Sequence, residues 1–393
     1  MEQLAIEGGI PIRNEILSYG HQWVDDEDIC AVVKVLKSDW ITQGPKVEEF
    51  EKKVAEYCDV KYAVAVSSGT AALHAACVVA GISNGDEVIT TPITFAATAN
   101  AIVYCGGKPV FADIDENTFN IDPKEIQNIL SSRTKAILST DFAGHPTDID
   151  EITALSKEND VIIIDDACHA LGAEYKGLKL GSLADMTILS FHPVKHITTG
   201  EGGMVLTNSI EYYEKLKVFR HHGIVKDYSC SELYEYEIRD LGYNYRLTDF
   251  QCALGISQLN KLDQFVHRRR EIAKMYNEAF AEMKEIIAPI EKNSVRASYH
   301  IYVIQLQTEL IRVGRREIFN ALRAENIGVN VHYMPLHLHS FYQREFGYKI
   351  GDFPKAESYY ERAITLPIFP KMSDEDANDV IEALRKVVNY YRR

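Results

Sequence analysis

Basic residues are in short supply in this 393-residue chain. Its 42 lysines and arginines stand against 57 acids, giving a formal net charge of −15. A general nucleic-acid-binding protein needs a basic face to meet phosphates, so the balance argues against that class. A small anionic ligand stays open, because one arginine or a helix start can hold it. Cysteine pairing is lacking as well. The seven cysteines, at 30, 58, 77, 105, 168, 230 and 252, are odd in number and form no CxxC pair. They read as reduced thiols rather than a disulfide frame. No apolar run approaches the ~20 residues that span a bilayer. The opening "MEQLAIEGGIPIRNE" is acidic and mixed, where a signal peptide would be basic and then apolar. A cytoplasmic protein without membrane partners is expected.

Several catalytic signatures are missing too. There is no GxSxG elbow for a Ser/His/Asp hydrolase and no HExxH or Cys/His ligand spacing for zinc. His221 and His222 are adjacent and would point differently on a helix, while "VHYMPLHLH" supplies His332, His337 and His339 without ligand spacing. No metal is expected. Repeats and low-complexity tracts are also lacking.

What is present is an ordinary globular composition, 46% hydrophobic and 25% charged, long enough for one large domain and a smaller one. From residue 60 short apolar runs alternate with helical spacing. "YAVAV" (62–66), "DEVITT", "KPVFADI", "KAILST", "VIIIDD", "MTILSFH" and "GGMVLTN" read as seven strands. Between most of them lie amphipathic patterns such as "TAALHAACVVAG", and a helix follows at 209–221. This alternation predicts an α/β fold with a mostly parallel sheet covered by helices on both faces. Such sheets bind ligands at the carboxyl ends of their strands. The stretch 222–243, rich in Tyr, Glu and Ser, reads as a long loop. Beyond 260 the pattern changes to one long charged helix (258–283), the strand-like "SYHIYVIQL", a helix at 314–325 and a last helix at 374–391. The expected division is a large domain over 1–260, N-terminal segment included, and a small C-terminal α+β domain over 261–393.

Three places could carry chemistry. "SSGT" (67–70) lies at a strand-to-helix junction, where free N–H groups and the helix dipole make an anion site and Gly69 allows close approach. An ordinary N-cap by Ser68 or Thr70 is the competing reading. In "IIIDDACHA" (162–170), two aspartates end an apolar strand, where a carboxylate is costly to bury without a partner. One could hold a cationic cofactor nitrogen or simply cap a helix; His169, three residues past Asp166, could be only a satisfied, half-buried group. In "SFHPVKHITTGEGG" (190–203), Lys195 sits between a buried strand and a glycine cluster. Burial lowers a lysine's pKa and makes it a Schiff-base nucleophile. Pyridoxal phosphate (PLP) enzymes pair such a lysine with an acid for the pyridinium nitrogen, and one strand separates Asp166 from Lys195.

Together these segments resemble the sugar-nucleotide aminotransferases, the DegT-like branch of fold-type I PLP enzymes. The resemblance runs from "EGGIPIR" and "SDWITQGPKVEEFEKKVAEYC" through "SSGTAALHAA", "TPITFAATANAI", "IIDDACHALGA" and "SFHPVKHITTGEGGMV" to "LGYNYRLTDFQCALGISQLNKLD", "SYHIYVI" and "VHYMPLH". It implies the PLP-dependent transferase fold with a seven-stranded sheet. It also implies that Lys195 carries PLP and that Asp166 pairs with its ring nitrogen. Phe95 and His169 would lie on the two ring faces, and Gly69, Thr70 and Ser190 would hold the phosphate. Asn244 would reach the phosphate in a neighbouring subunit, so a homodimer with shared sites is implied. The substrates implied are L-glutamate and a UDP-4-keto sugar. The motifs look most like the C4-aminotransferase branch of pseudaminic acid biosynthesis, although His196 stands where that branch commonly has proline. Related branches act on UDP-4-keto-pentoses or other 4-keto-6-deoxyhexoses. Sugar dehydratases of the same fold carry histidine at the Lys195 position, and regulatory proteins of this fold bring a basic DNA-binding extension that this chain lacks.

Overall fold

The computed structural model describes residues 3–225 and 235–393. The seven expected strands form one sheet: β1 Tyr62–Val66, β2 Glu87–Thr90, β3 Lys108–Phe111, β4 Thr134–Thr140, β5 Ile162–Asp166, β6 Met186–Ser190 and β7 Gly203–Thr207. Their spatial order is β1-β7-β6-β5-β4-β2-β3. β3, β2, β4, β5 and β6 pair in parallel, and β7 alone runs against its neighbours β6 and β1. β5 and β6 are apolar nearly throughout because helices cover both faces of the sheet. Two apolar clusters, one on each side, bury Ile137, Ile163 and Leu189 against Leu138, Ile164 and Ile188.

A second, three-stranded antiparallel sheet is built from Ile286–Ile287, Tyr302–Leu306 and Ala363–Leu366. Helices Leu262–Phe280, Arg315–Ala324 and Asp374–Tyr391 accompany it. The last of these buries Ala377, Val380, Ile381, Leu384, Val387 and Val388 at helical spacing and starts on a Ser373/Asp376 capping box.

Three expectations need correction. The charged run 258–283 is not one helix. It is the end of Asp249–Leu259 and the helix Leu262–Phe280. The chain turns between them, and Lys261 Nζ ties that corner to Asp25 and Asp28 at 2.7 Å each. Apolar spacing continues across the corner, so periodicity alone could not show it. The stretch 222–243 is not all loop, since Ile224–Val225 pairs with Glu237–Ile238. Its centre, 226–234, lies outside the described residues, as does Cys230. Helices Ser340–Phe346 and Pro354–Arg362 and the strand Ala363–Leu366 add to the expected elements. Their apolar residues are too few and too mixed with charge to give a clear period.

The N-terminal segment crosses to the smaller sheet's helices. Glu325, fully buried, accepts hydrogen bonds from the N–H groups of Ala5 (2.9 Å) and Ile12 (3.0 Å) and pairs with buried Lys386 at 3.0 Å. Removing one partner of a buried ion pair costs about 3–5 kcal/mol, because the other charge is left uncompensated. Glu325→Ala should therefore lower the unfolding free energy by that order and open the segment 3–17 to protease. A loss below ~1 kcal/mol in denaturant titration would show that this carboxylate does not anchor the segment.

Candidate active site

The carboxyl ends of β1, β2, β4, β5 and β6 and the start of antiparallel β7 share one edge of the sheet. A cavity of about 570 Å³ opens there. Gly69, Thr70, Phe95, Asp166, His169, Ser190 and Lys195 all line it. Residues far apart in sequence thus meet because parallel strands end together.

The turn at 67–70 follows β1. Ser68 caps the helix Gly69–Val79, its Oγ accepting from the N–H of Ala71 at 3.0 Å. The cap does not exclude an anion at this helix start, since it uses one donor of several. The turn is pressed against Gly203, where a Cβ would lie 2.4 Å from the carbonyl oxygen of Ser68. Only glycine fits that approach, which explains part of the cluster after Lys195. Gly200 explains another part, for its φ of +79° is in the left-handed region.

The loop carrying Lys195 closes on itself. Phe191 N–H donates to the carbonyl of Gly202 (2.9 Å), Thr199 N–H to that of Phe191 (3.0 Å) and Lys195 N–H to that of His192 (2.9 Å). Lys195 is half-buried, and burial pulls its pKa below the usual lysine value; Cys168 and Asp166 oppose this and Arg269 adds to it.

Asp165 and Asp166 face opposite ways, as strand alternation requires. Asp166 accepts from Thr98 Oγ1 at 2.7 Å and from the N–H of Cys168 at 3.2 Å. Asp165 instead accepts from Ser139 Oγ at 2.9 Å and interacts electrostatically with buried Asp141. Burial pushes Asp165 up to about 6 and Asp141 well above the usual carboxylate range. Asp166, not Asp165, lines the cavity.

The cavity roof comes from the smaller sheet. Tyr333 hydroxyl meets His169 Nε2 at 3.2 Å, and His300 packs with its ring centre 4.4 Å from that of His169. Phe95, 59% exposed, lies across the cavity with its ring centre 6.2 Å from that of Tyr333. His332 bonds Thr365 Oγ1 at 2.9 Å. Burial holds His169, His196 and His300 well below the usual imidazole range and lowers His332 to about 4. Tyr19, Thr98, His300, His332 and Tyr333 join the cavity beyond the residues expected around the cofactor. "SYHIYVI" and "VHYMPLH" hold three of them, but nothing in their spacing links His300, His332 or Tyr333 to Lys195 until the fold is known.

Asn244 does not line this cavity. It is exposed, its backbone pairs with His221, and the next carbonyl, Tyr245, accepts from Ser67 N–H at 2.9 Å. His196, at the position expected to be proline, is buried and bonds the carbonyl of Ser298 at 3.3 Å.

The donor set suits PLP in each part: a helix start with hydroxyls for the phosphate, a buried carboxylate for the ring nitrogen, flat groups on two sides and an amine for the carbonyl. Comparison with known proteins agrees. Residues 22–385 match the model of the DegT/DnrJ/EryC1/StrS aminotransferase family. Spore coat polysaccharide biosynthesis protein SpsC of Bacillus subtilis is 44% identical over 96% of this chain and 98% of its own. A UDP-4-amino-4,6-dideoxy-N-acetyl-beta-L-altrosamine transaminase of Campylobacter jejuni is 42% identical over 96% and 99%. Among solved structures, Helicobacter pylori PseC, an aminotransferase involved in the biosynthesis of pseudoaminic acid, superposes with a TM-score of 0.90. It is 34% identical, over 96% of this chain and 100% of that one. The PLP-form of a putative sugar aminotransferase, Spr1654 of Streptococcus pneumoniae, gives 0.90 at 31% identity over 95% and 99%.

The fold is that of a fold-type I, PLP-dependent aminotransferase. The chain belongs to the DegT/DnrJ/EryC1/StrS aminotransferase family.

Neutral buried histidines make stability pH-dependent. Each keeps the proton off in the folded chain and takes it up near 6.5 when unfolded. Their contribution is therefore complete above 6.5 and shrinks as pH falls toward the folded value. Asp165 acts in the opposite sense, losing stability as pH rises from 3.8 to about 6, and Asp141, raised as well, acts the same way, so a difference measurement isolates one histidine. For His332 the loss at pH 5 is roughly 2 kcal/mol. Between pH 7 and 5 the wild-type melting temperature should fall further than that of His332→Gln. Parallel curves would contradict the neutral, buried state of His332.

Proposed function

We propose that this sugar aminotransferase moves an amino group from L-glutamate to C4 of UDP-2-acetamido-2,6-dideoxy-β-L-arabino-hex-4-ulose, the C4-amination of pseudaminic acid biosynthesis. The observation that carries the reading is the 42% identity, over nearly the whole chain, to a transaminase named for that aminated sugar. The PseC fold match supports it.

In this reading Lys195 would hold PLP through its Nζ, and Asp166 would keep the ring nitrogen protonated. Thr98 and the Cys168 N–H fix that carboxylate in place. When bound, PLP supplies an electron sink for the carbon that loses its proton. Gly69, Thr70 and Ser190 would take the phosphate, while Phe95 and His169 would confine the ring. Lys195 Nζ would take the proton from the donor's α-carbon. In the second half-reaction it would deliver one to the sugar C4. A lowered amine pKa suits that task, since a base works best near the operating pH. L-Glutamate leaves as 2-oxoglutarate, and water balances each carbonyl–amine exchange.

A second reading is amination of another 4-keto sugar nucleotide, such as a UDP-4-keto-pentose; the 44% identity to a protein named for spore coat polysaccharide biosynthesis supports a sugar nucleotide of a different pathway without naming the sugar. The two separate in one assay. Enzyme, PLP and L-glutamate with a panel of UDP-4-keto sugars should give the L-arabino hexulose at least a tenfold kcat/KM advantage, a barrier difference of about 1.4 kcal/mol. Equal or faster turnover of the pentose would select the second reading.

The homodimer is part of the proposal. Asn244, exposed on its own chain, would donate its side-chain amide to the phosphate held by a second copy. Lys195→Ala and Asn244→Ala chains, each impaired alone, should then partly rescue one another when mixed. A mixed dimer has one site with both lesions and one with neither. Exchange would be confirmed with differently tagged chains. No gain in activity after proven exchange would place Asn244 in its own subunit's service.

A further inference from the structure

The Lys195 amine has a neighbour to which the sequence motifs give no role. His300 Nε2 lies 3.5 Å from Lys195 Nζ. The histidine is 6% exposed, lines the cavity, and comes from the segment entering the strand Tyr302–Leu306. Its other ring nitrogen, Nδ1, is buried without a hydrogen-bond partner among the described residues. Which nitrogen carries the proton follows from that asymmetry. A buried N–H left unpaired is rarer and costlier than a bare acceptor. The proton therefore belongs on Nε2, facing the lysine.

His300 cannot easily turn away. Arg269, 1% exposed, donates to the carbonyls of Tyr299 (3.2 Å), His300 (2.9 Å) and Ile368 (2.9 Å), clamping the backbone at and before the ring. The ring is also packed between His169 and His196, with centres 4.4 and 5.7 Å away. His196 Nε2 bonds the Ser298 carbonyl, which can only accept, so it too carries its proton on Nε2.

We propose that His300 is a positioning residue, whose Nε2–H donates to the lone pair of Lys195 Nζ and holds that amine neutral and aimed. An ammonium has no lone pair to accept from Nε2–H and would meet a donor face to face. The neutral amine is the form that can take a proton from substrate carbon. Other charged and titratable groups face this pair: Asp166, Cys168 and His169 at and beyond the end of β5, His196 on the lysine loop, Arg269 on its helix, and His332 and Tyr333 on the roof. Asp166 and Cys168 favour the ammonium, while burial and Arg269 oppose it. His300 tips the balance to the neutral side. The inference rests on the reading of Lys195 as the reacting amine.

The test reads ionisation directly. Lys195 in the cofactor-free, full-length protein is labelled with trace acetic anhydride across pH 6–11 and its peptide quantified by mass spectrometry. His300→Gln offers an amide oxygen that accepts from the ammonium. Its labelling midpoint should rise by about one pH unit, the scale of one hydrogen bond exchanged. His267→Gln, on an exposed side chain, should leave it unchanged. A His300→Gln midpoint equal to or below wild type overturns the proposal. Selective 15N-histidine NMR of the unaltered chain at pH 8 is a second test that needs no variant. The Nε2–H tautomer is expected for His300, and the Nδ1–H tautomer or an imidazolium overturns it. Neither readout involves PLP or a sugar, so each stands even if Lys195 fails to carry the cofactor.

Discussion

One constraint governs the site: an amine and a carboxylate must both be held at the ends of adjacent buried strands, each with partners of its own. Neither group tolerates burial alone. β5 and β6 are apolar nearly to their ends, and Asp166 and the Lys195 loop emerge where the strands stop. A parallel sheet provides this because its carboxyl ends coincide at one edge. The other parts follow from that placement. Ser68–Thr70 leaves the neighbouring edge of β1, Thr98 comes down from the helix after β2 to hold Asp166, and Ser190 closes β6. The reversed strand β7 has its own job. Its first residue, Gly203, lets the turn after β1 come close with no side chain between them.

The floor of the site belongs to the large sheet and the roof to the small one. His300, His332 and Tyr333 reach over from segments about a hundred residues or more beyond Lys195. Their surroundings keep the imidazoles neutral, so the roof adds hydrogen bonds without adding positive charge. Arg269 is the exception, a buried cation whose guanidinium meets backbone carbonyls; burial lowers its pKa to about 9. It holds the roof strand's entry in place and sets a positive field behind the lysine.

Much of this is legible in the sequence. All seven strands of the main sheet carry apolar runs that mark them, because a strand buried on both faces needs nothing subtler. Seven of the eight expected site residues line one cavity, since their motifs combine a strand end with a residue type that is costly there. Asn244 stands apart, for its expected role depends on a second chain. The roof is harder to read. A histidine in "SYHIYVI" is chemically silent until the fold brings it to Lys195, and no local spacing encodes that contact. The break at Lys261 is hidden for a similar reason: it depends on Asp25 and Asp28, more than two hundred residues away.

The central claim is that Lys195 is the residue through which this chain holds its cofactor. The most direct measurement is to load the protein with PLP, reduce it with borohydride, digest it and locate the phosphopyridoxyl group by mass spectrometry. The account requires a single modified peptide bearing the group on Lys195. Label on any other lysine, or a loaded protein that cannot be trapped at all, would contradict it.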